Sequence, residues 1–119
     1  MARVVAFVPD LLFGSQVQGA LRAAGHEVEL AADEGAVRAA IVTADVLVVD
    51  LTDEAAGRTG AVEALAGERA LESTRTLAFY SHVEADTRAL AERAGFDLVV
   101  PRSRMAREGA ELVGRLLSA

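Results

Sequence analysis

The chain contains no cysteine, no lysine, no asparagine and no tryptophan. Without cysteine there is no disulfide frame, no thiolate metal site and no thiol nucleophile, a composition that suits a reducing, cytoplasmic setting. Without lysine any mechanism that needs a lysine ammonium group is excluded, a Walker-type phosphate loop included; all 12 basic side chains are arginine. Only 4% of residues are aromatic and Tyr80 is the single tyrosine, which speaks against a stacked flavin. The two histidines, His26 and His82, are too few and too far apart in sequence for an imidazole metal site. The motifs G-x-G-x-x-G, G-x-S-x-G and D-x-H-x-x-G are also missing, so a dinucleotide fingerprint, a nucleophile elbow and a cobalamin motif are excluded. The opening M-A-R-V-V-A-F-V-P-D has too short an apolar run for a signal peptide or a membrane span. A net charge of −6 argues against nucleic acid as the main partner.

What is present is a core-forming composition: 119 residues, 52% of them hydrophobic, enough for one domain over 1–119. The stretch A-D-V-L-V-V-D-L-T (44–52) carries the clearest signal. Val46, Leu47, Val48 and Val49 run without polar alternation, as a strand does when both of its faces are covered in a parallel sheet. A second such strand spans Arg3–Val8, closed by Pro9 and Asp10. Leu11–Ala24 has helical spacing and ends at Gly25, suited to a left-handed C′ position. His26–Ala31 alternates as an edge strand should, with His26 solvated at its start, and Asp33 opens a short helix. After Asp50, L-T-D-E-A-A-G-R-T-G reads as a Gly- and charge-rich loop, followed by a helix over Ala61–Arg69. Strands at Thr76–Tyr80 and Asp97–Val100 then alternate with helices at Ala85–Ala94 and Met105–Leu117. This alternation predicts a flavodoxin-like α/β fold: a doubly wound, five-stranded parallel sheet in the order 2-1-3-4-5, layered αβα.

In such a sheet the C-terminal strand ends share one edge, and open α/β sheets bind ligands there. The sequence delivers Asp10, Asp50, Asp53, Ser81, His82 and Arg102 to that edge. Each also has a plainer role: Asp10 as a helix N-cap, Asp50 as a chain-turning carboxylate bonded to loop N–H groups, Ser81 as a turn opener. Arg102, Arg104 and Arg107 also fit a solvated helix face.

Over nearly its whole length the chain resembles the receiver domains of bacterial response regulators. The resemblance lies in the strand–helix order, in V-L-V-V-D-L with its Asp50, in the hydroxyl of Ser81 after the fourth strand, and in A-G-F-D-L-V-V-P-R. It implies that Asp50 stands at the position that accepts phosphate from a histidine kinase. It further implies that acidic residues after the first strand hold Mg2+, that Ser81 senses the phosphoryl group, and that a lysine after the fifth strand contacts it. This sequence departs from that pattern twice. Val8 and Pro9 fall on the acidic pair, leaving Asp10 one residue late, so Asp10 and Asp50 are the only metal-ligand candidates and Mg2+ is implied only if this acidic site functions. The lysine is absent; Arg102 takes its place on a count from Gly95, Val100 on a count from Pro101. Arginine grips an oxyanion as a planar fork rather than a point charge, and beside Asp50 it would form an ion pair that mimics the phosphorylated state.

The expected role is therefore a stand-alone receiver-like signalling module with a degenerate phosphorylation site, acting by protein–protein contact and not by turnover. The resemblance implies a signalling partner such as a histidine kinase. It also implies a homodimer through the fifth strand and last helix, where Met105, Leu112, Leu116 and several arginines lie. Two further readings stand beside it: a phosphorylation-competent receiver with Asp50 as acceptor, and a flavodoxin-like domain binding an anionic small molecule through Asp50, Ser81, His82 and Arg102.

Overall fold

The computed structural model describes residues 2–81 and 85–118. Five strands and five α-helices alternate: β1 (Arg3–Phe7), α1 (Leu11–Ala23), β2 (Glu27–Ala31), α2 (Glu34–Ala40), β3 (Val46–Asp50), α3 (Ala55–Gly67), β4 (Arg75–Tyr80), α4 (Ala85–Arg93), β5 (Leu98–Pro101) and α5 (Arg102–Ser118). The strands form one sheet in the order β2-β1-β3-β4-β5, and every pairing is parallel. The expected fold class is the observed one.

The side-chain period of a strand sorts the core into two layers. Val4, Ala6, Val46, Val48, Leu77, Phe79 and Val100 pack under α1 and α5 with Phe13, Leu21, Met105 and Leu112. Their sequence neighbours Val5, Phe7, Leu47, Val49, Ala78 and Tyr80 pack under α2, α3 and α4 with Val37, Val62, Leu65 and Ala91. Val46 through Val49 are 0% exposed, the double-faced burial that their unbroken apolar run predicts. β2 lies at one edge and keeps a wetter face, with Glu27 and Glu29 exposed. Gly25 (φ +94°) and Gly95 (φ +89°) both take the left-handed conformation that lets α1 and α4 turn into the next strand.

The start of α3, the end of β5 and the start of α5 differ from the sequence reading. α3 begins at Ala55, so only Leu51–Glu54 separate β3 from it. Gly57 and Gly60 lower helix propensity there, but burial of Thr59, Ala61, Val62 and Leu65 outweighs that local penalty. The chain enters α3 through Glu54 at φ +48°, with no side-chain cap. Pro101 is the last residue of β5 and sits opposite Tyr80, which an edge strand tolerates because its outer N–H has no ladder partner to lose. α5 starts directly after it, at Arg102, and bends at Glu108 (φ −127°, ψ 15°).

At the N-terminal edge two carboxylates stand in for missing ladder partners. The Asp45 side chain accepts from Arg3 N–H (2.9 Å), and Asp97 accepts from Thr76 N–H (2.8 Å) while its own N–H donates to Thr76 Oγ1 (3.0 Å). Asp97→Ala leaves the part-buried Thr76 N–H without its acceptor, so urea titration should record a loss of about 1–3 kcal/mol. A change below the error of the titration would contradict that role.

Candidate functional site

The C-terminal edge is built by four strand ends. After β1 the chain passes Val8 and Pro9 to Asp10, the N-cap of α1. One oxygen of Asp10, Oδ1, accepts from Leu12 N–H (3.0 Å) and Phe13 N–H (3.1 Å). The other, Oδ2, lies 3.7 Å from Arg102 Nη2. Arg102 leaves the end of β5 and lays its guanidinium over the Phe13 ring, with Cζ 4.2 Å from the ring centre. Cap, cation and aromatic ring form one connected unit across the mouth of the sheet.

Asp50 ends the central strand and is only 4% exposed. Its Oδ1 accepts from Thr52 N–H at 2.8 Å, and the Thr52 hydroxyl donates to the same oxygen. This is a local turn: a carboxylate at a strand end bonded to a hydroxyl residue two positions on. The carbonyl of Asp50 accepts from Arg58 Nη1 (2.8 Å), which reaches back from the first turns of α3, and the Arg58 guanidinium lies over Phe7 at 5.7 Å. Leu51 N–H donates to the Phe79 carbonyl (2.8 Å), extending the β3–β4 ladder past Asp50.

Two grooves flank Asp50. One, of about 620 Å³, runs between α1 and the start of α5 and is lined by Phe13, Gln16, Thr52, Ser81, Arg102 and Ser103. The other, of about 460 Å³, lies between α2 and α3 and includes Asp33, Glu34, Asp53, Glu54 and Arg58. The predicted pocket is thus divided. Ser81 and Arg102 share the first groove, Asp10 stands beside it in a 3.7 Å ion pair with Arg102, and Asp53 faces the second groove with its Oδ1 accepting from Glu54 N–H (2.9 Å). Asp50 lines neither groove. His82 lies outside the described residues. His26 accepts a hydrogen bond from Ala2 N–H through Nδ1 (3.2 Å), at the opposite edge.

The expected Asp50–Arg102 ion pair is replaced by an Asp10–Arg102 pair, because the Phe13 face holds the guanidinium over α1 while Thr52 bonds the Asp50 carboxylate. A Mg2+ site on Asp10 and Asp50 does not fit these residues. Asp10 has one oxygen in the helix cap and the other beside a guanidinium, which disfavours a dication there. Among the described residues no group of three or more acidic or imidazole side chains converges to hold a metal ion. Met105, Leu112 and Leu116, expected on an exposed dimer face, are instead 3%, 0% and 7% exposed and belong to the core under α1. The resemblance put these residues on a dimer face; in this chain they form the core-facing stripe of α5.

The sequence reading gave Thr52 no role as Asp50's partner, and it passed over Arg58 and Phe13 as parts of the site. The D-x-T spacing carries a readable signal for the first. Arg58 and Phe13 act only through tertiary contact.

No protein-family model and no curated protein matches the sequence. Solved structures match in fold. A response regulator from Thermotoga maritima superposes at TM-score 0.84 and 16% identity, over 100% of this chain and 99% of its own. The receiver domain of response regulator 1452 from Francisella gives 0.84 and 15%, over 99% and 98%. A CheY-like receiver domain protein from Methanospirillum hungatei gives 0.81 and 19%, over 99% and 94%. The fold is that of response-regulator receiver domains, over the full chain.

Proposed function

We propose that this chain is a receiver-type signalling module that works by protein–protein contact and does not accept a phosphoryl group. The fold supports the receiver part of this reading. The degeneracy rests on one observation, the Asp10–Arg102 pair stacked on Phe13. A receiver needs a dication held by free carboxylate oxygens to neutralise an incoming phosphoryl donor. Here the nearest carboxylate after β1 is committed to a helix cap and a guanidinium, and the Asp50 carboxylate is buried against Thr52.

Contact instead of turnover also suits the outer surface of α5. With its apolar stripe in the core, α5 presents Arg107, Glu111 and Arg115 to solvent. Alternating charge of this kind favours a specific, transient partner over an obligate apolar interface. No helix among the described residues is long and apolar enough to cross a membrane.

The test is incubation with acetyl phosphate and Mg2+ followed by intact-mass measurement. The mass of the protein is expected to stay unchanged. A single adduct of roughly 80 Da that disappears in Asp50→Ala would overturn the degeneracy and establish a phosphorylation-competent receiver.

A further inference from the structure

We infer that the cleft between the C-terminal ends of α3 and α4, at the N-terminal edge of the sheet, binds a small organic amine whose ammonium group pairs with Asp97. The cleft opens at the end of the sheet away from Asp50 and shares no lining residue with the two grooves that flank Asp50.

Three observations carry it. First, the cleft has the size and the two-sided lining of a small-molecule site. Its volume is about 550 Å³, inside the roughly 300–1,000 Å³ of ligand pockets. Val62, Ala66, Leu71 and Ala94 give it apolar walls, while the buried Thr76 and the exposed Asp97 give it a polar end. An apolar body and a polar head fit such a lining together.

Second, the Asp97 carboxylate is fixed but only half used. Its Oδ2 accepts from Thr76 N–H (2.8 Å) and from the Thr76 hydroxyl (3.3 Å), and Asp97 N–H donates back to that hydroxyl (3.0 Å). These bonds tie the carboxylate to a buried strand residue, so little side-chain freedom is left to lose on binding. Among the described residues, no group donates to Oδ1 and no cation forms an ion pair with Asp97.

Third, the charge around the cleft favours a cation. Its other acidic lining residue, Glu72, is paired with Arg69 at 2.6 Å. Arg75, the basic residue among the described lining, has a contact of its own. The C-terminal ends of α3 and α4 border the cleft through Ala66 and Ala94, and helix C-termini carry partial negative charge that attracts cations. A bare divalent ion needs several oxygen ligands, and no group of three or more acidic or imidazole side chains converges among the described residues. One open carboxylate between apolar walls instead matches a single ammonium group on an apolar body.

The experiment is a 15N NMR titration of the full chain with phenethylamine, and separately with its uncharged counterpart 2-phenylethanol, at neutral pH and equal ionic strength. Saturable shifts at the amides of Thr76, Gly95 and Asp97 are expected with the amine, and binding about tenfold weaker or more with the alcohol. Asp97→Asn keeps an oxygen to accept from Thr76 N–H but removes the charge, and should weaken amine binding about fivefold or more. Ala66→Phe adds bulk at an exposed position of the cleft wall, where the fold tolerates it, and should block the amine. Glu29→Gln removes the same charge from β2, on the far side of the sheet, and should leave binding unchanged. Absence of saturable shifts with the amine, equal binding of the alcohol, or insensitivity to either Asp97→Asn or Ala66→Phe would overturn the assignment.

Discussion

Phe79→Ala is expected to remove about 3–5 kcal/mol from the unfolding free energy, the range for an aromatic side chain cut out of a packed core. Phe79 is 0% exposed. It lies on β4 opposite Asp50 of β3 and Val100 of β5, and its ring meets that of Phe13 at 5.1 Å and 51°. A tilted aromatic pair adds about 0.5–1.5 kcal/mol beyond the area it buries. Since a domain of this kind holds about 5–15 kcal/mol in total, the variant should melt lower by on the order of 10 °C or more. Urea and thermal titrations check both values, with Phe79→Leu as a milder volume change. A loss below about 1 kcal/mol would mean that the core relaxes around the cavity. The consequence reaches the site as well, because the Phe13 that loses its aromatic neighbour is the platform for Arg102.

Arg58→Ala is expected to cost about 1.5–3 kcal/mol, the value of a hydrogen bond that involves a charged group. Arg58 donates to the last carbonyl of the central strand at 2.8 Å and covers Phe7 at 5.7 Å. It is the clasp that fixes how β3 turns into α3, across the short Leu51–Glu54 link. Removing it leaves the Asp50 carbonyl to water and uncovers the aromatic ring. Arg58→Lys keeps the charge but not the planar fork and its stack, and should recover less than half of the loss. Denaturant titration measures the energies, and hydrogen exchange should show faster opening of residues 51–54. A change within about 0.5 kcal/mol, the scale of an ordinary surface substitution, would remove Arg58 from the architecture of the site.

These two residues mark the boundary of what could be read from the chain. The continuous run Val46–Val49 read as a strand covered on both faces, and all four residues are 0% exposed. Gly25 and Gly95 marked helix ends where a positive φ was needed. Five such units in alternation left little choice but a parallel sheet with right-handed crossovers, and its order followed. α3 was shortened in the reading because Gly57 and Gly60 are poor helix formers, a local penalty that burial of Val62 and Leu65 overrides. The amphipathic character of α5 was legible, but not that Met105, Leu112 and Leu116 face the sheet, since a contact face and a core-facing stripe require the same spacing.

At the site, the sequence placed Asp10, Asp50, Ser81 and Arg102 at strand ends and so on one edge, because strand direction alone decides which end a residue occupies. Pairing among them is a matter of a few ångströms and of side-chain direction, which no spacing encodes. Packing of α1 against α5 brought Phe13 under Arg102, and that contact drew the guanidinium to Asp10 and left Asp50 to Thr52. Local chemistry thus determined the strands, the helix ends and their order. The choice of which charge meets which belonged to the packed helices, because only they bring residues 10, 13 and 102 within reach of one another.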